Sequence, residues 1–245
     1  REQQGQVNMK IIADMHTHTL VSGHSYSTLA ENCRAARERG LTHIALTDHA
    51  PAMPGGPSVI YFAAGTPKYS EGVRVIKGAE VNILNENGEL DLPEPVLKRL
   101  EYVIASMHEI CWKPSDYDTH TRTWLNILDN PYVDCLGHIG NANYTFDMEK
   151  VLKKCAEKGK IIEINNHSFT VRRGSAENCR NAALLCMKYN IPVVVSTDAH
   201  FMDEVGVFDK SVGMLEEIGF PEELILNADT GRLRRFFMEK KGIDI

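Results

Sequence analysis

Residues 11–20 read IIADMHTHTL, an apolar run that leads into an aspartate and two histidines. The run is typical of a buried strand, and side chains two positions apart on a strand face the same side. His16 and His18 can therefore bind one metal ion together through neutral imidazole nitrogens. A small polar loop that contains His24 follows directly. The stretch predicts a strand with metal ligands at its carboxyl end.

Short β-branched runs alternate with helical patterns along the rest of the chain. Seven runs are predicted as strands, at residues 10–14, 43–47, 73–80, 102–106, 133–136, 161–165 and 193–196. Helical patterns lie between them at 28–39, 93–100, 119–128, 147–158 and 176–189, and several end at a glycine or asparagine. This alternation predicts a parallel sheet, and the chain length is in the range of an α/β barrel.

Ligand-type side chains follow most of these strands, and the predicted helix interiors contribute none. The residues that follow or close later strands are His49, Glu80, His108, His138, Asp198 and His200. Parallel barrels carry their chemistry at the carboxyl ends of the strands, so these side chains are expected to meet. One histidine after a strand is ordinarily a cap or a core residue, but so many together predict a multinuclear metal site.

Composition narrows the classes of function. The chain has 245 residues, of which 43% are hydrophobic, so residues 9–245 are predicted to form one globular domain. Residues 1–8 are expected to be a flexible tail, either native or left by cloning. The formal charge of -6, with scattered Lys and Arg, predicts no nucleic-acid partner, and no apolar stretch approaches a membrane helix in length. Six cysteines without C-x-x-C spacing favour reduced core thiols in a cytoplasmic protein.

The ordered motifs resemble the PHP (polymerase and histidinol phosphatase) domain family. The matching strings are D-x-H-x-H at residues 14–18, T-D-H at 47–49, G-x-E at 78–80, a histidine at 108, G-H at 137–138 and S-x-D-x-H at 196–200. Longer strings at residues 26–28, 163–166 and 174–180 look most like the stand-alone YcdX-type phosphatases. The resemblance implies a distorted (β/α)7 TIM-like barrel, the PHP fold, that carries up to three divalent ions.

The resemblance also implies how nine ligands divide among three ions. The first ion would be held by His16, His18, Glu80 and Asp198, the second by Glu80, His108 and His138, and the third by His24, His49 and His200. Imidazole and carboxylate ligands suit transition metals, so zinc is the first expectation, with manganese or iron as alternatives. A water between two ions bridged by Glu80 becomes hydroxide near neutral pH, and this metal-bridging hydroxide is the predicted nucleophile.

The charge of such a cluster predicts the substrate class. Three dications with only two carboxylate ligands keep a strong positive charge, which suits a dianionic phosphate monoester. The predicted activity is therefore that of a metal-dependent phosphoesterase acting on a small phosphorylated substrate. Glu80, Asp198 and His200 are the predicted catalytic residues among the ligands. Self-association into a homo-oligomer is left open by the sequence.

Five further residues are candidates for supporting roles. His167, Arg172 and Arg173 follow the sixth predicted strand and are candidates for substrate binding; a solvated arginine pair and an ordinary histidine are the alternatives. Asp14 and Asp48 are expected to orient ligating histidines by accepting hydrogen bonds, or else to be structural.

Residues 50–72 are rich in Pro, Gly and Ser and lack clear periodicity. A long connection at the catalytic end of a barrel is typical of a lid or specificity loop. Tyr61 and Phe62 would then either cover the substrate or pack on the outside of the barrel.

Other functions fit parts of the pattern. Other branches of the resembled family act on histidinol phosphate or on nucleic-acid 3′ ends, although the acidic balance of this chain disfavours a polymer. A non-catalytic metal-binding or regulatory module would keep the fold, but all nine expected ligand positions are filled. Hydrolases of C–N bonds use similar ligand sets with a bridging lysine after a strand, and Lys77 is misplaced for that role.

Overall fold

The computed structural model describes residues 9–245, and the tail expected at residues 1–8 lies outside the described residues. The strands are β1 (Ala13–Thr17), β2 (His43–Leu46), β3 (Tyr69–Ser70), β4 (Val73–Asn82), β5 (Tyr102–Ser106), β6 (Cys135–Leu136), β7 (Ile161–Asn165) and β8 (Val193–Ser196). The α-helices are α1 (Leu29–Glu38), α2 (Val59–Ala63), α3 (Glu94–Leu97), α4 (Tyr117–Asp129), α5 (Met148–Lys158), α6 (Ser168–Val171), α7 (Ser175–Tyr189), α8 (Asp209–Glu217) and α9 (Thr230–Lys241). Short 3-10 helices lie at Leu20–Ser22, Met202–Glu204, Glu222–Leu224 and Leu226–Ala228.

Seven strands form a nearly closed parallel ring in the order β1-β2-β4-β5-β6-β7-β8, and the short β3 pairs antiparallel with β4. The two ends of this order meet at a parallel bridge between Thr17 and Ala199, where the His18 N–H donates to the Ala199 carbonyl at 2.9 Å. The pairing of β1 with β2 shifts register between Asp14 and Thr17, which makes the ring irregular there. The predicted distorted (β/α)7 barrel is confirmed.

Two buried apolar clusters hold the ring together, one outside it and one inside. Residues alternate between them along each strand: in β5, Val103 joins the outer cluster that packs under the helices, whereas Tyr102 and Ile104 join the inner one. Phe237 of α9 also belongs to the inner cluster, with its ring centroid 6.2 Å from that of Tyr102. Since Tyr102 begins its strand, α9 covers the end of the barrel at which the strands start.

The predicted strands are all present, with shifts at some ends. The strands predicted at 102–106, 161–165 and 193–196 match to the residue, whereas β1 begins three residues later than predicted and continues to Thr17. The connection at 50–72 is not structureless, because it contains α2 and β3. Phe62 is buried in the outer cluster, so it packs on the barrel and does not face a substrate. Among residues 9–245, no helix combines the length and apolar character needed to cross a membrane.

Candidate metal centre

The nine predicted ligands lie together at the carboxyl end of the ring. Six strands supply them directly or through the loop that follows, and β7 is the ring strand that supplies none of the nine. Most are buried, whereas His108 and His200 are half-buried and His24 is exposed. The cluster therefore opens toward solvent on the side of His24.

The first predicted set has the spacing of a tetrahedral metal site. His16 Nε2 lies 3.0 Å from His18 Nε2, 3.2 Å from Glu80 Oε2 and 3.5 Å from Asp198 Oδ1. His18 Nε2 lies 3.5 Å from the same Glu80 oxygen and 3.1 Å from the same Asp198 oxygen. Four ligand atoms about 2.0–2.1 Å from a tetrahedral zinc ion lie about 3.3 Å from one another. The distances fit such an ion.

The second predicted set is equally compact and uses the other oxygen of Glu80. His108 Nε2 and His138 Nε2 lie 3.2 Å and 3.0 Å from Glu80 Oε1, and 3.2 Å from each other. Glu80 therefore presents Oε2 to the first set and Oε1 to the second. This is the arrangement that a carboxylate bridging two cations requires.

The third predicted set is looser. His24 Nε2 lies 3.1 Å from His200 Nε2, and the His49 ring is stacked beside His24 at 4.9 Å between centroids. His49 Nδ1 also lies 2.8 Å from Glu80 Oε2. His49 thus stands between the bridging carboxylate and the two outer histidines.

When the rings are neutral, the hydrogen bonds behind them leave their inner nitrogens without protons. A neutral imidazole has one N–H, so a ring that donates through Nδ1 presents a lone pair at Nε2. Nδ1 faces an oxygen acceptor in four rings: Glu163 behind His16 at 2.5 Å, Ser22 behind His18 at 3.0 Å, Asn82 behind His108 at 2.7 Å and the Asp198 carbonyl behind His200 at 2.8 Å. Several lone pairs then converge within 3.5 Å of one another, and they are mutually repulsive unless a cation lies between them.

Two buried atoms of the cluster also lack a hydrogen-bond partner among the described residues. They are Glu80 Oε2 and His49 Nδ1, which face each other. Buried polar atoms are ordinarily paired, and a metal ion is one partner that satisfies a carboxylate oxygen and an imidazole nitrogen together. The donor set therefore fits divalent transition metals.

The pKa shifts of the clustered histidines also favour bound cations. Burial lowers the pKa of His16, but the carboxylates of Glu163, Glu80 and Asp198 outweigh burial and hold that pKa well above its usual value. Burial and the neighbouring imidazoles instead lower the pKa of His18 well below its usual value. The carboxylates therefore favour positive charge within the cluster, whereas a ring such as His18 disfavours binding a proton. A bound cation would supply that positive charge instead.

Two of the ligand positions have a left-handed backbone. The φ angles are +28° at His138 and +57° at Asp198, a region that residues other than glycine rarely adopt. Gly137, just before His138, passes so close to β5 that a Cβ would overlap the Ser106 hydroxyl. The G-H string therefore combines a close approach of two strands with a backbone bend that aims the histidine inward.

Asp48 acts on a ligand indirectly, and Asp14 does not orient a ring. Asp48 accepts a hydrogen bond at 2.7 Å from Ser22, whose oxygen in turn faces His18 Nδ1. Tyr61 also donates to Asp48, at 2.7 Å, so this side chain supports the site from behind. The expectation that Asp14 accepts from a histidine ring is wrong.

Asp14 instead ties β1 to the segment that follows β8. It accepts from the backbone N–H and hydroxyl of Thr197 and from the N–H of Gly206. Its link to the ligand His16 is to the backbone N–H, at 3.4 Å. Asp14 therefore helps to close the ring.

Two of the three candidates for substrate binding line one cavity, and the third does not. His167 and Arg172 line a cavity of about 320 Å³ at the mouth of the cluster, whose wall includes Met53 and Val171. The Arg172 guanidinium lies 3.3 Å from Asp198 Oδ2, and the His167 ring is 5.9 Å from the His200 ring. Arg173 is exposed and does not line this cavity of the described chain.

Three supporting residues were not assigned a role from the sequence: Glu163, Asn82 and Asp91. Asn82 orients His108, and Asp91 accepts from the Asn82 amide at 2.6 Å. Glu163 contacts His16 as described above. The available signal was an acidic residue inside an otherwise apolar strand, since β7 reads IIEIN and is buried throughout.

Lys77 is not near the cluster. Its ammonium group donates to the Ala64 carbonyl at the end of α2. A lysine bridging two ions, as the C–N hydrolase alternative would need, is therefore not provided by this residue.

Comparison with known proteins agrees with this geometry. The PHP domain family matches residues 14–167, and the PHP-associated family matches residues 176–208. A probable phosphatase from Caldanaerobacter subterraneus is 45% identical over 97% of this chain and 95% of its own length. A probable phosphatase from Acetivibrio thermocellus is 43% identical over 95% of this chain and 98% of its own length.

A solved structure shows the same fold. It is a histidinol phosphate phosphatase from Lactococcus lactis, complexed with zinc, L-histidinol and phosphate. The TM-score is 0.61 at 17% identity, over 85% of this chain and 94% of that one. The family match covers more than half of the chain, and the two bacterial relatives are similar over nearly all of it. The chain belongs to the PHP domain family.

Proposed function

We propose that residues 9–245 form one catalytic domain that hydrolyses a small phosphate monoester with the help of divalent metal ions. Relatives of 45% and 43% identity that carry the name probable phosphatase support the phosphatase class. The single observation that carries the proposal is Glu80, whose two oxygens lie within 3.2 Å of ligand nitrogens belonging to two different sets.

The proposed centre holds three ions with the ligands divided as the sequence predicts. His16, His18, Glu80 and Asp198 would hold the first, and Glu80, His108 and His138 the second. His24, His49 and His200 would hold the third. Zinc is the proposed metal, with manganese or iron as alternatives, because these ions accept mixed imidazole and carboxylate ligands. Bound divalent ions would supply positive charge and an acidified water for attack on phosphorus.

Protein side chains near the proposed ions would position the substrate. Arg172 lies at the cavity wall, where its guanidinium can reach a phosphate oxygen while it remains close to Asp198. His167, which lines the same cavity with its ring centroid 5.9 Å from that of His200, is also proposed to contact the substrate. Attack by water breaks the bond between phosphorus and the leaving oxygen, and a proton must pass to the departing alcohol.

The test is turnover of a panel of small phosphate monoesters by protein loaded with zinc or manganese. Glu80→Gln and His16→Ala should each lower kcat/KM by more than about 100-fold, since even partners of metal ligands contribute 10–100-fold. His43→Gln is the matched control, because His43 is a buried histidine at the start of β2, remote from the cluster. Phosphate release that is absent, or that survives both ligand substitutions, would overturn the proposal.

Three alternatives make different predictions in the same assay. A histidinol-phosphatase type of activity would appear as a strong preference for that ester within the panel. A nuclease type would release nucleotides from single-stranded DNA with a steep dependence on salt. A non-catalytic regulatory module would retain bound metal with no turnover of any ester.

A further inference from the structure

Glu163 lies in the barrel interior beneath the metal centre and contacts two different ligand residues. Its Oε1 lies 2.5 Å from His16 Nδ1 and accepts a hydrogen bond from the Ser196 hydroxyl at 2.5 Å. Its Oε2 accepts a hydrogen bond from the backbone N–H of His138 at 2.6 Å. The side chain is fully buried. Glu163 is thus the contribution of β7, the ring strand with no predicted ligand.

The contact with His16 fixes which ring nitrogen faces the cluster. An ionised carboxylate only accepts hydrogen bonds, so His16 must donate to it through Nδ1. The neutral ring then presents the Nε2 lone pair to the first set. A partner that donated a hydrogen bond to Nδ1 would move the ring proton to Nε2 and block the nitrogen that ligation needs.

The contact with His138 acts on the backbone. His138 has a φ angle of +28°, which is unfavourable for a residue with a Cβ and persists only where neighbouring contacts hold it. The short hydrogen bond from its N–H to a carboxylate is a charge-assisted contact of the stronger kind. It holds the bend from which the His138 ring reaches the second set.

We propose that Glu163 is a positioning residue that couples the first and second ion sites by holding His16 with one oxygen and His138 with the other. The inference rests on the proposed metal centre. Glutamine has the same shape, but it offers one accepting oxygen and one donating amide group. It can therefore satisfy the ring of His16 or the N–H of His138 but not both. The partner that it still satisfies faces a neutral oxygen in place of a charged one, so both sites lose support.

Other supporting residues act on one site each. Asn82 contacts the ring of His108 alone among the predicted ligands, so its loss should weaken the second site without affecting the first. Asp134 is a buried carboxylate at the opposite end of the ring, where it accepts from the Val103 N–H and pairs with Lys241. Asp134→Asn therefore measures how changing a buried acid to an amide affects zinc binding when the change is remote from the proposed ions.

The experiment compares wild type, Glu163→Gln, Asn82→Ala and Asp134→Asn. Each protein is stripped of metal and titrated with Zn²⁺ against a chromophoric chelator, and bound zinc is counted by mass spectrometry. Absorption of the Co²⁺-loaded proteins reports the ligand field of each site. Glu163→Gln should weaken two zinc sites by about 10–100-fold each, Asn82→Ala should weaken one, and Asp134→Asn should weaken none.

The outcomes separate the inference from the function on which it rests. Wild type that binds no zinc would overturn the proposed metal centre itself. Wild type that binds zinc, with Glu163→Gln equal to it in affinity and Co²⁺ spectrum, would overturn the role of Glu163, and weakening of one site alone would overturn the coupling.

A second variant covers the case in which Glu163→Gln fails to fold. Glu163→Asp keeps the charge but is one methylene shorter, so it cannot reach both partners at their present distances of 2.5 and 2.6 Å. It should lose zinc affinity at one site or both. Zinc binding equal to that of wild type would overturn the proposal.

Discussion

Asp14 has an unusually high pKa for an aspartate, although its side chain contacts no imidazole ring. Burial raises its pKa from 3.8 to about 6, although hydrogen bonds from Thr197 and Gly206 act to lower it. Because this pKa is higher in the folded chain than in the unfolded one, the folded chain binds the proton more tightly between about pH 4 and pH 6. The stability that this proton contributes is present below pH 4 and is lost as the pH rises through 6.

Asp14→Asn should therefore change the pH dependence of stability. The amide cannot ionise, so the free energy of unfolding of the variant, relative to wild type, should rise between pH 4.5 and pH 7. Urea unfolding of chelator-treated protein at the two pH values measures this difference, and the titration of the histidines cancels because both proteins share it. A difference that stays constant with pH would show that Asp14 keeps its ordinary pKa.

Residues next to strand ends could be predicted from the sequence, whereas their supporting partners could not. His138 and Asp198 follow apolar runs, and this order can be read directly from the sequence. The contact of Glu163 with His16 joins residues 147 positions apart in the chain, and it exists only because the ring closes and places β7 and β1 on either side of β8. Asp14 was misassigned for the same reason, since its partner Thr197 is 183 positions away.

Two of the strands that were predicted to the residue lie between other strands of the ring. The strands at 161–165 and 193–196 are rich in Ile and Val, and each has a ring strand on both sides. The sequence pattern therefore ends where the strand pairing ends. The start of β1 depends on where β2 begins to pair with it, which no local pattern reveals. The helices α8 and α9 follow the last strand, and no later strand marks their limits.

The helix α9 is expected to matter for stability but not for metal binding. Phe237→Ala removes a fully buried ring from the inner cluster and should lower the free energy of unfolding by about 3–5 kcal/mol. Zinc content should not change, because α9 covers the end of the barrel remote from the ligands. Met238→Ala is the matched control: this neighbour is half exposed and should cost less than about 0.5 kcal/mol.

Urea unfolding and metal analysis of both variants check this prediction. Equal stability of the two variants would mean that α9 does not pack as described. Loss of zinc from folded Phe237→Ala would mean that the two ends of the barrel are energetically linked.

At the scale of the whole molecule, the predicted ligands connect six of the seven ring strands. Ions bound by these ligands would cross-link the strands in the folded chain only. Removal of the ions would leave lone pairs and carboxylates facing one another. Binding to the folded state alone stabilises by mass action, by about 2.7 kcal/mol at a ligand concentration one hundred times the Kd.

Chelation should therefore lower the melting temperature, and added zinc or manganese should restore it. Differential scanning fluorimetry with and without chelator measures the shift, and metal analysis confirms that the ions have left. Glu80→Gln should respond far less, because it lacks the shared ligand. A melting temperature that does not change when the ions are removed would contradict a structural contribution from the centre.

The position of α9 also bears on turnover. With one end of the ring filled by Phe237 and its neighbours, the cavity lined by His167 and Arg172 is an opening that leads to the ligands at the other end. Substrate would enter and inorganic phosphate would leave by the same route, over the same guanidinium. Product would then compete with substrate for one place, so we expect inorganic phosphate to act as a competitive inhibitor that raises the apparent KM in initial-rate measurements.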